Sequence, residues 1–213
     1  MRKFVNLIAI FVVSTFLCAC GMLSGLGSVP QDVKTSTEDV GNGAKTTISS
    51  FLGAQAVLLE AFDFKDLAQA ALADKKAIES GELDDASDIL EKSMNADKLI
   101  AENVNKVKSF SSAQKDAFTK GLVEYVNSSI ELVKFGKSSS DYVSTVKSAI
   151  DSASATDKAA IASYTQNVLG VVQKMPELTN LVTDDTKLLI DTAQEAKLDV
   201  SKAKKAASDA FGF

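Results

Sequence analysis

The residue types on which most enzymes and metal sites depend are scarce in this chain. Its 213 residues include two cysteines, Cys18 and Cys20, and no histidine. Histidine is the commonest general base near neutral pH and the commonest ligand of transition metals. Its absence excludes a Ser-His-Asp triad, a Cys-His pair, a His-Glu-x-x-His zinc site and a Glu-x-x-His di-iron bundle. We therefore expect no enzyme activity, no metal and no cofactor.

Two pairs of neighbouring carboxylates are the remaining candidates for acid–base chemistry or for binding a hard cation. They are Asp84-Asp85 and Asp184-Asp185. Each pair stands where a helix is predicted to begin, and carboxylates at that position stabilise the partial positive charge of the helix N-terminus. Neither pair has the ligand spacing of an EF-hand. Helix capping is the preferred interpretation of both pairs.

Lysines and phenylalanines leave two further alternatives open. Lys202, Lys204 and Lys205 could contact an anionic head group or a polysaccharide, although cations near a helix C-terminus also suit the helix dipole. Phenylalanines could line an apolar cavity, although aromatic residues at helical spacing are more often core. Those residues are Phe51, Phe62, Phe64, Phe110 and Phe118. At the chain end, Phe211 and Phe213 are expected to dock on a neighbouring helix or on a partner.

Both cysteines belong to an N-terminal segment with the layout of a secretory signal. Arg2 and Lys3 precede an almost wholly apolar run over residues 4–17. Ala19 is then the small residue before Cys20. A basic start, an apolar stretch and a small residue at the cleavage point are the parts of a signal peptide. Since the apolar run is shorter than the roughly 20 residues of a transmembrane helix, we expect cleavage before Cys20.

The segment Leu17-Cys18-Ala19-Cys20 resembles the lipobox of bacterial lipoproteins. The usual pattern is Leu, then Ala, Ser or Thr, then Gly or Ala, then Cys. Cys18 departs from it in the second position, but cysteine is small and fairly apolar. The resemblance implies a diacylglyceryl thioether on Cys20, cleavage before it, and acylation of its new amine by a fatty acid such as palmitate. The alternative is a secreted protein in which Cys20 is incidental.

The residues that follow Cys20 predict a flexible tether. Residues 21–30 contain three glycines and two serines, a composition typical of flexible linkers. Gly21 occupies the position at which an aspartate resembles an inner-membrane retention signal of enteric-type bacteria. Its identity therefore favours the outer membrane, facing the periplasm or the cell surface. We divide the chain into a signal peptide (1–19), a lipidated tether (20–43) and a helical-bundle domain (44–213).

The charge balance assigns membrane contact to the lipid. The chain has 23 basic and 28 acidic side chains, and loss of residues 1–19 would remove two of the basic ones. An acidic balance argues against nucleic acid and offers no polybasic patch for anionic lipid. Two or three acyl chains anchor a protein firmly where a single chain does not. With Cys20 alkylated, the mature chain would have no thiol for a disulfide.

The apolar residues after Pro30 recur at helical spacing and predict five or six helices. The expected ranges are about 45–79, 84–108, 112–135, 140–153, 157–175 and 185–211. Gly136 and Pro176 are expected to end helices. The first helix is the most apolar and is expected to be central, with a bend or a change of partners near Asp63. Short connections favour an all-α, antiparallel up-and-down bundle.

The last predicted helix has a coiled-coil pattern built largely from alanine. Its inner positions follow 4-3 spacing; they are Leu189, Ala193, Ala196, Val200, Ala203, Ala207 and Ala210. Alanine allows close approach of the helices but buries little apolar surface.

Together these features favour a membrane-anchored lipoprotein of the cell envelope with a non-catalytic structural, assembly or interaction role. The expected contacts are the membrane, through lipid on Cys20, and an envelope protein partner. A carrier or binder of an apolar, lipid-like ligand within the bundle is the alternative. An enzyme would have to work with Asp, Glu, Lys, Ser or Tyr, and the spacing of these residues offers no arrangement for it.

Overall fold

The computed structural model describes residues 28–81 and 86–213, and within these ranges the chain is helical and contains no strand. The α-helices are α1 (Gln31–Ala61), α2 (Lys65–Ser80), α3 (Ala86–Asn103), α4 (Ser112–Ser138), α5 (Ser140–Ser152), α6 (Ala155–Glu195) and α7 (Ser201–Phe211), and a 3-10 helix (Val104–Ser109) follows α3. This architecture confirms the predicted all-α helical bundle.

Helix α1 is the centre of the bundle, as its apolar sequence predicted. It packs along α2 and α4 and also contacts α3, α5 and α6. Its inward stripe is fully buried and includes Ile48, Phe51, Leu58 and Leu59. A helix that is apolar over most of its circumference is stable when surrounded by other helices, which is the environment of α1.

The start of α1 differs from the prediction. The helix begins at Gln31 instead of near Lys45, so residues 31–43, which the sequence assigned to the tether, are its first turns. Glycines weaken a helix, yet α1 continues through Gly41 and Gly43. A Cβ at position 43 would lie 3.2 Å from Cε2 of Phe135 on α4. The glycine therefore allows this ring to pack against the α1 backbone, and that packing outweighs the weak helix propensity.

The predicted bend near Asp63 is a helix break. Asp63 has a left-handed backbone with a φ of 66°, and α2 turns back along α1. Helix α2 ends at Gly81, which adopts the left-handed conformation with a φ of 102°. Glycine is the usual residue at such a helix end because it has no Cβ to clash, and the sequence prediction of this end is confirmed.

Helix α4 starts as predicted but ends later. The Ser111 hydroxyl accepts the Gln114 N–H at 3.3 Å, and the Gln114 side-chain oxygen accepts the Ser111 N–H at 3.1 Å, which completes a capping box. The helix does not stop at Gly136. A Cβ there would lie 3.1 Å from Cγ2 of Thr179 on α6, so this glycine permits close approach of the two helices.

Helix α6 was predicted to end at Pro176, and this prediction is wrong. Its 41 residues continue through the proline. Proline removes one backbone hydrogen bond, but its ring is exposed here. The residues on either side, Met175 and Leu178, are fully buried in the main core. Their packing maintains the helix despite the missing hydrogen bond.

The prediction of a single helix over residues 185–211 is also wrong. Helix α6 ends at Glu195, and Lys197 adopts a left-handed backbone with a φ of 59°. The N–H of Leu198 bonds to the carbonyl of Ala193 at 3.0 Å and closes the helix end. Ala203 of α7 is buried, whereas Ala210 is exposed. Since an alanine seam buries little surface, breaking the helix to pack α7 against α4 is favourable.

The bundle contains two apolar clusters along its length. The main core joins α1, α2, α3, α4, α6 and α7. The second cluster joins the start of α1 to α5 and the first half of α6; it consists of Val33, Tyr142, Val146, Ile161, Val168 and Val172. Beside it, the hydroxyl groups of Thr37 and Tyr142 are hydrogen-bonded at 3.0 Å. Within the described residues, no helix combines the length and apolarity needed to cross a membrane.

Candidate functional site

The predicted lipid-attachment residue, Cys20, and the lipobox lie outside the described residues. The first described residue, Ser28, contacts the start of α6. Its N–H donates to Oδ1 of Asp157 at 2.5 Å. The Ser154 hydroxyl donates to the other oxygen of Asp157 at 2.7 Å, and these hydrogen bonds, that of Ser154 first, lower the pKa of Asp157. Ser28 therefore lies at the end of the bundle where α6 begins.

A buried polar cluster occupies the middle of the main core. Asp97 of α3 is 1% exposed, and Gln55 of α1 and Tyr125 of α4 are fully buried. Gln55 Nε2 donates to Asp97 Oδ1 at 2.7 Å, and the Tyr125 hydroxyl donates to Asp97 Oδ2 at 3.0 Å. The cluster therefore links three helices through one carboxyl group.

Ser93 fixes the orientation of the glutamine in this cluster. Its hydroxyl donates to Gln55 Oε1 at 3.0 Å, and its carbonyl accepts from Gln55 Nε2 at 2.8 Å. Ser93 and Asp97 are four residues apart on α3 and so share one face of that helix. The single side chain of Gln55 reaches both of them.

Burial sets the protonation of the two carboxyl groups in the core. It raises the pKa of Asp97 to about 8, the charge of Asp185 acts in the same direction, and the hydrogen bonds from Gln55 and Tyr125 act in the opposite direction. Burial followed by the charge of Asp184 raises the pKa of Asp185 to about 6. Burial also raises the pKa of Tyr125 well above 10.0. Asp97 is consequently neutral near pH 7.

The position of Asp185 corrects a sequence prediction. The pair Asp184-Asp185 was expected to cap a helix, but α6 passes through both residues because it does not end at Pro176. Asp185 is 7% exposed, and its Oδ2 has no hydrogen-bond partner among the described residues; the same holds for the buried hydroxyl of Thr186. The other pair, Asp84-Asp85, lies outside the described residues.

The buried cluster resembles a catalytic acid in its pKa but not in its access. A general acid must come within hydrogen-bond reach of its substrate, and Asp97 is sealed among helices. A surface groove of about 600 Å³ between α4 and the α6–α7 connection is lined by other residues, among them Lys115, Lys120, Lys197 and Lys202. In the part of the chain that the structure describes, no group of three acidic side chains could hold a metal ion. The arrangement of Asp97 therefore suits an internal role.

The phenylalanines identified in the sequence pack against one another. The Phe62 ring lies 5.8 Å from Phe118 and 5.2 Å from Phe110 in edge-to-face arrangements. Phe64 stacks on Phe62 at 6.2 Å. Phe51 packs 5.4 Å from the ring of Tyr125. Phe51, Phe62 and Phe118 are buried in the main core, and Phe64 and Phe110 pack against it. This packing agrees with the preferred interpretation of their spacing.

The three lysines near the chain end were expected to lie near the C-terminus of a helix, where cations suit the helix dipole. They do not lie there. Lys202, Lys204 and Lys205 belong to the first half of α7, because α7 begins at Ser201. Cations at that position oppose the helix dipole, so the explanation offered from the sequence is wrong. The Lys204 ammonium instead donates to the side-chain oxygen of Gln194 at 3.3 Å.

The C-terminal phenylalanines dock on the protein itself. The rings of Phe211 and Phe213 stack 5.7 Å apart, and both contact the main core. The ammonium of Lys187 on α6 lies 6.0 Å from the centroid of the Phe213 ring, within the range of a cation–π interaction. The neighbouring helix is therefore the docking surface, one of the two possibilities that the sequence left open.

No protein-family model, curated protein or solved structure matches this chain. The fold and the described residues define its class as an all-α helical bundle with a sealed polar cluster.

The sequence analysis did not predict the buried polar cluster, although the sequence contains a signal for it. The apolar residues Met94 and Ala101 of α3 are seven positions apart, and Asp97 stands between them on the same face of the helix.

Proposed function

We propose that the protein is a bacterial lipoprotein, held at the membrane of the cell envelope by lipid on Cys20, with a non-catalytic structural, assembly or interaction role. The observation that carries this proposal is the sequence Leu17-Cys18-Ala19-Cys20 directly after a basic and apolar N-terminal run. Support comes from a helical body whose described helices are not suited to cross a membrane, so that attachment would depend on lipid.

The position of Ser28, eight residues after Cys20, supports attachment through one end of the bundle. Eight residue-to-residue steps lead from Cys20 to Ser28, and a fully extended chain of eight steps spans at most about 28 Å. Ser28 contacts Asp157 at the start of α6. Lipid on Cys20 would therefore keep this end of the bundle near the membrane surface.

The opposite end would then point away from the membrane. Helix α1 has 31 residues, which corresponds to a length of about 46 Å. Its far end carries the break at Asp63 and the start of α2. This distal end is the part of the bundle that we assign to contact with an envelope protein partner.

The lipid attachment is tested by metabolic labelling with a fatty-acid analogue. Cys20→Ala should abolish labelling, because the thioether requires the Cys20 sulfur. Cys18→Ala is the matched control and should remain labelled, since alanine is a usual residue at that lipobox position. Mass spectrometry of the N-terminal peptide locates the label. Continued labelling of the Cys20→Ala protein would overturn the proposal.

The partner contact is tested by site-specific photocrosslinking in intact cells. Leu67 and Tyr164 are each 40% exposed, the first near the distal end of the bundle and the second near the start of α6. A crosslinker at position 67 should give an adduct with a second envelope protein. Position 164, at the end proposed to lie near the membrane, is the matched control and should give no such adduct. If neither position yields a protein adduct in cells where Cys20 is lipidated, the interaction role is refuted.

A further inference from the structure

The middle of the bundle contains two carboxyl groups without a compensating cation. Within residues 28–81 and 86–213, no ion pair involves Asp97 or Asp185. Removing a carboxylate from water is strongly unfavourable unless an opposite charge or several hydrogen-bond donors compensate. The structure must therefore hold at least one of these groups in its neutral form.

The hydrogen bonds indicate where the proton of Asp97 lies. The Gln55 amide is oriented by Ser93, so its Nε2 must donate to Asp97 Oδ1, which can only accept. The second oxygen, Oδ2, pairs with the Tyr125 hydroxyl at 3.0 Å, and a hydroxyl can both donate and accept. A proton on Oδ2 would reverse this hydrogen bond, so that Oδ2 donates to the Tyr125 oxygen in place of the Tyr125 hydroxyl donating to Oδ2. An ionised Asp97 would have two neutral donors and almost no contact with water.

Every element that places a group on Asp97 contributes either a neutral side chain or another acid. Helix α1 contributes the Gln55 amide, α4 contributes Tyr125, and α6 contributes Asp185, which itself feels the charge of Asp184. No charged group of α2 or of the 3-10 helix is among those that act on Asp97 in the described part of the chain. Loss of the Asp97 proton would create a negative charge that burial and Asp185 oppose, and that the hydrogen bonds from Gln55 and Tyr125 compensate only in part.

We propose that Asp97, together with Asp185, forms a pH-dependent contact between helices of the bundle. We call this contact the lock. In the protonated state the carboxyl group of Asp97 joins α3 to α1 and α4 through Gln55 and Tyr125. In the deprotonated state, repulsion from Asp185 and the loss of hydration loosen α3 from its neighbours. A rise in pH is the stimulus that opens the lock.

The direction of the effect follows from the pKa of Asp97, which burial raises from 3.8 to about 8. Below the lower value both the folded and the unfolded chain carry the proton. Between the two values only the unfolded chain releases it, so rising pH favours unfolding by up to about tenfold per pH unit. Above the higher value the folded chain also loses its proton, and the destabilisation stays constant at its maximum.

The lock is tested by urea unfolding of the purified full chain over a range of pH. Asp97→Asn mimics the protonated acid, because its amide can donate to the Tyr125 oxygen and accept from Gln55. In the unmodified protein, Asp97 should make the unfolding equilibrium constant rise by about tenfold per pH unit between roughly pH 5 and 8. The Asp97→Asn protein should lack this contribution. Asp191→Asn, at an exposed position of the same bundle, is the matched control and should keep the dependence of the unmodified protein. An equal pH dependence in all three proteins overturns the proposal.

A second measurement uses the unmodified protein and does not depend on how the variants fold. Carboxyl carbon shifts measured by NMR should show Asp97 titrating near pH 8. The hydrogen-exchange protection factors of α3 amides, which correct for the pH dependence of exchange in an unfolded chain, should fall over the same interval. A midpoint close to the ordinary value of 3.8 overturns the lock. So do protection factors in α3 that do not fall as Asp97 loses its proton.

Discussion

Replacement of Gly121 by alanine tests the close contact between α4 and α1. A Cβ at this position would lie 2.9 Å from Val57 Cγ1, 3.2 Å from Leu58 Cδ2 and 3.5 Å from the Leu58 backbone nitrogen. Valine in a helix has one strongly preferred side-chain rotamer, and Leu58 is fully buried. Neither neighbour can move away without disturbing its own packing, so the two helices must separate slightly.

Two opposing terms set the size of the effect. In a helix interior, alanine is more favourable than glycine by about 1 kcal/mol. Inserting a methyl group into a filled core costs about 1–3 kcal/mol. Gly121→Ala should therefore lower the free energy of unfolding by about 1 kcal/mol. Gly170→Ala is the matched control on α6. The new Cβ would lie 4.0 Å from Ser87 Cβ, an ordinary contact distance, so the substitution should raise the free energy of unfolding by about 0.5–1 kcal/mol.

Urea unfolding followed by circular dichroism at fixed pH measures both changes. A double-mutant cycle adds the physical cause, because Val57→Ala removes the atom closest to the new Cβ. In the Val57→Ala background, Gly121→Ala should be clearly less destabilising than in the unmodified protein. If Gly121→Ala stabilises the protein as much as Gly170→Ala does, the close contact of α1 with α4 is refuted.

Three further substitutions test the cap, the aromatic cluster and the last helix. Ser111→Ala removes the capping box of α4 and should lower the free energy of unfolding by about 1 kcal/mol in urea titrations; no change would contradict the cap. Phe118→Ala leaves a cavity at a fully buried site between Phe62 and Phe110. It should lower the free energy of unfolding by about 3–5 kcal/mol, and a loss below 1 kcal/mol would refute this packing. Ala203→Glu places a carboxylate at a position that is 1% exposed and should lower the melting temperature measured by circular dichroism, and an unchanged melt would contradict the burial of α7.

Local sequence rules predicted the elements of this fold that depend on local chemistry. The glycine end of α2 and the capping box at Ser111 follow from side chains and backbone within a few residues. The shift of the apolar stripe near Asp63 predicted a bend or a change of partners within one helix, where the structure has two helices. The local rules gave wrong predictions where contacts between residues distant in sequence outweigh a local preference. Gly43 and Gly136 lie inside helices because each accommodates a side chain of another helix, and α6 passes Pro176 because both sides of the proline are packed into the core.

The candidate functional residues also include some that the sequence predicts and some that depend on the packing of the whole bundle. The lipid attachment at Cys20 rests on a pattern of four consecutive residues and can be proposed from sequence alone. The polar cluster brings together Gln55, Asp97 and Tyr125, which come from three helices. Helical periodicity places Asp97 on an inward face, but it does not indicate which helix that face meets or at what height. Those pairings are set by the packing of the whole bundle.

The two apolar clusters should respond differently to pH. The second cluster, near the start of α6, contains Tyr142 as its titratable group, and burial raises the pKa of that hydroxyl above 10.0. Its interior therefore keeps its charge state over the interval in which Asp97 of the main core titrates. Since α6 runs through both clusters, opening of the lock would loosen α3 in the main core while the end proposed to face the membrane stays closed. The hydrogen-exchange protection factors should accordingly fall with pH in α3 and stay constant in α5.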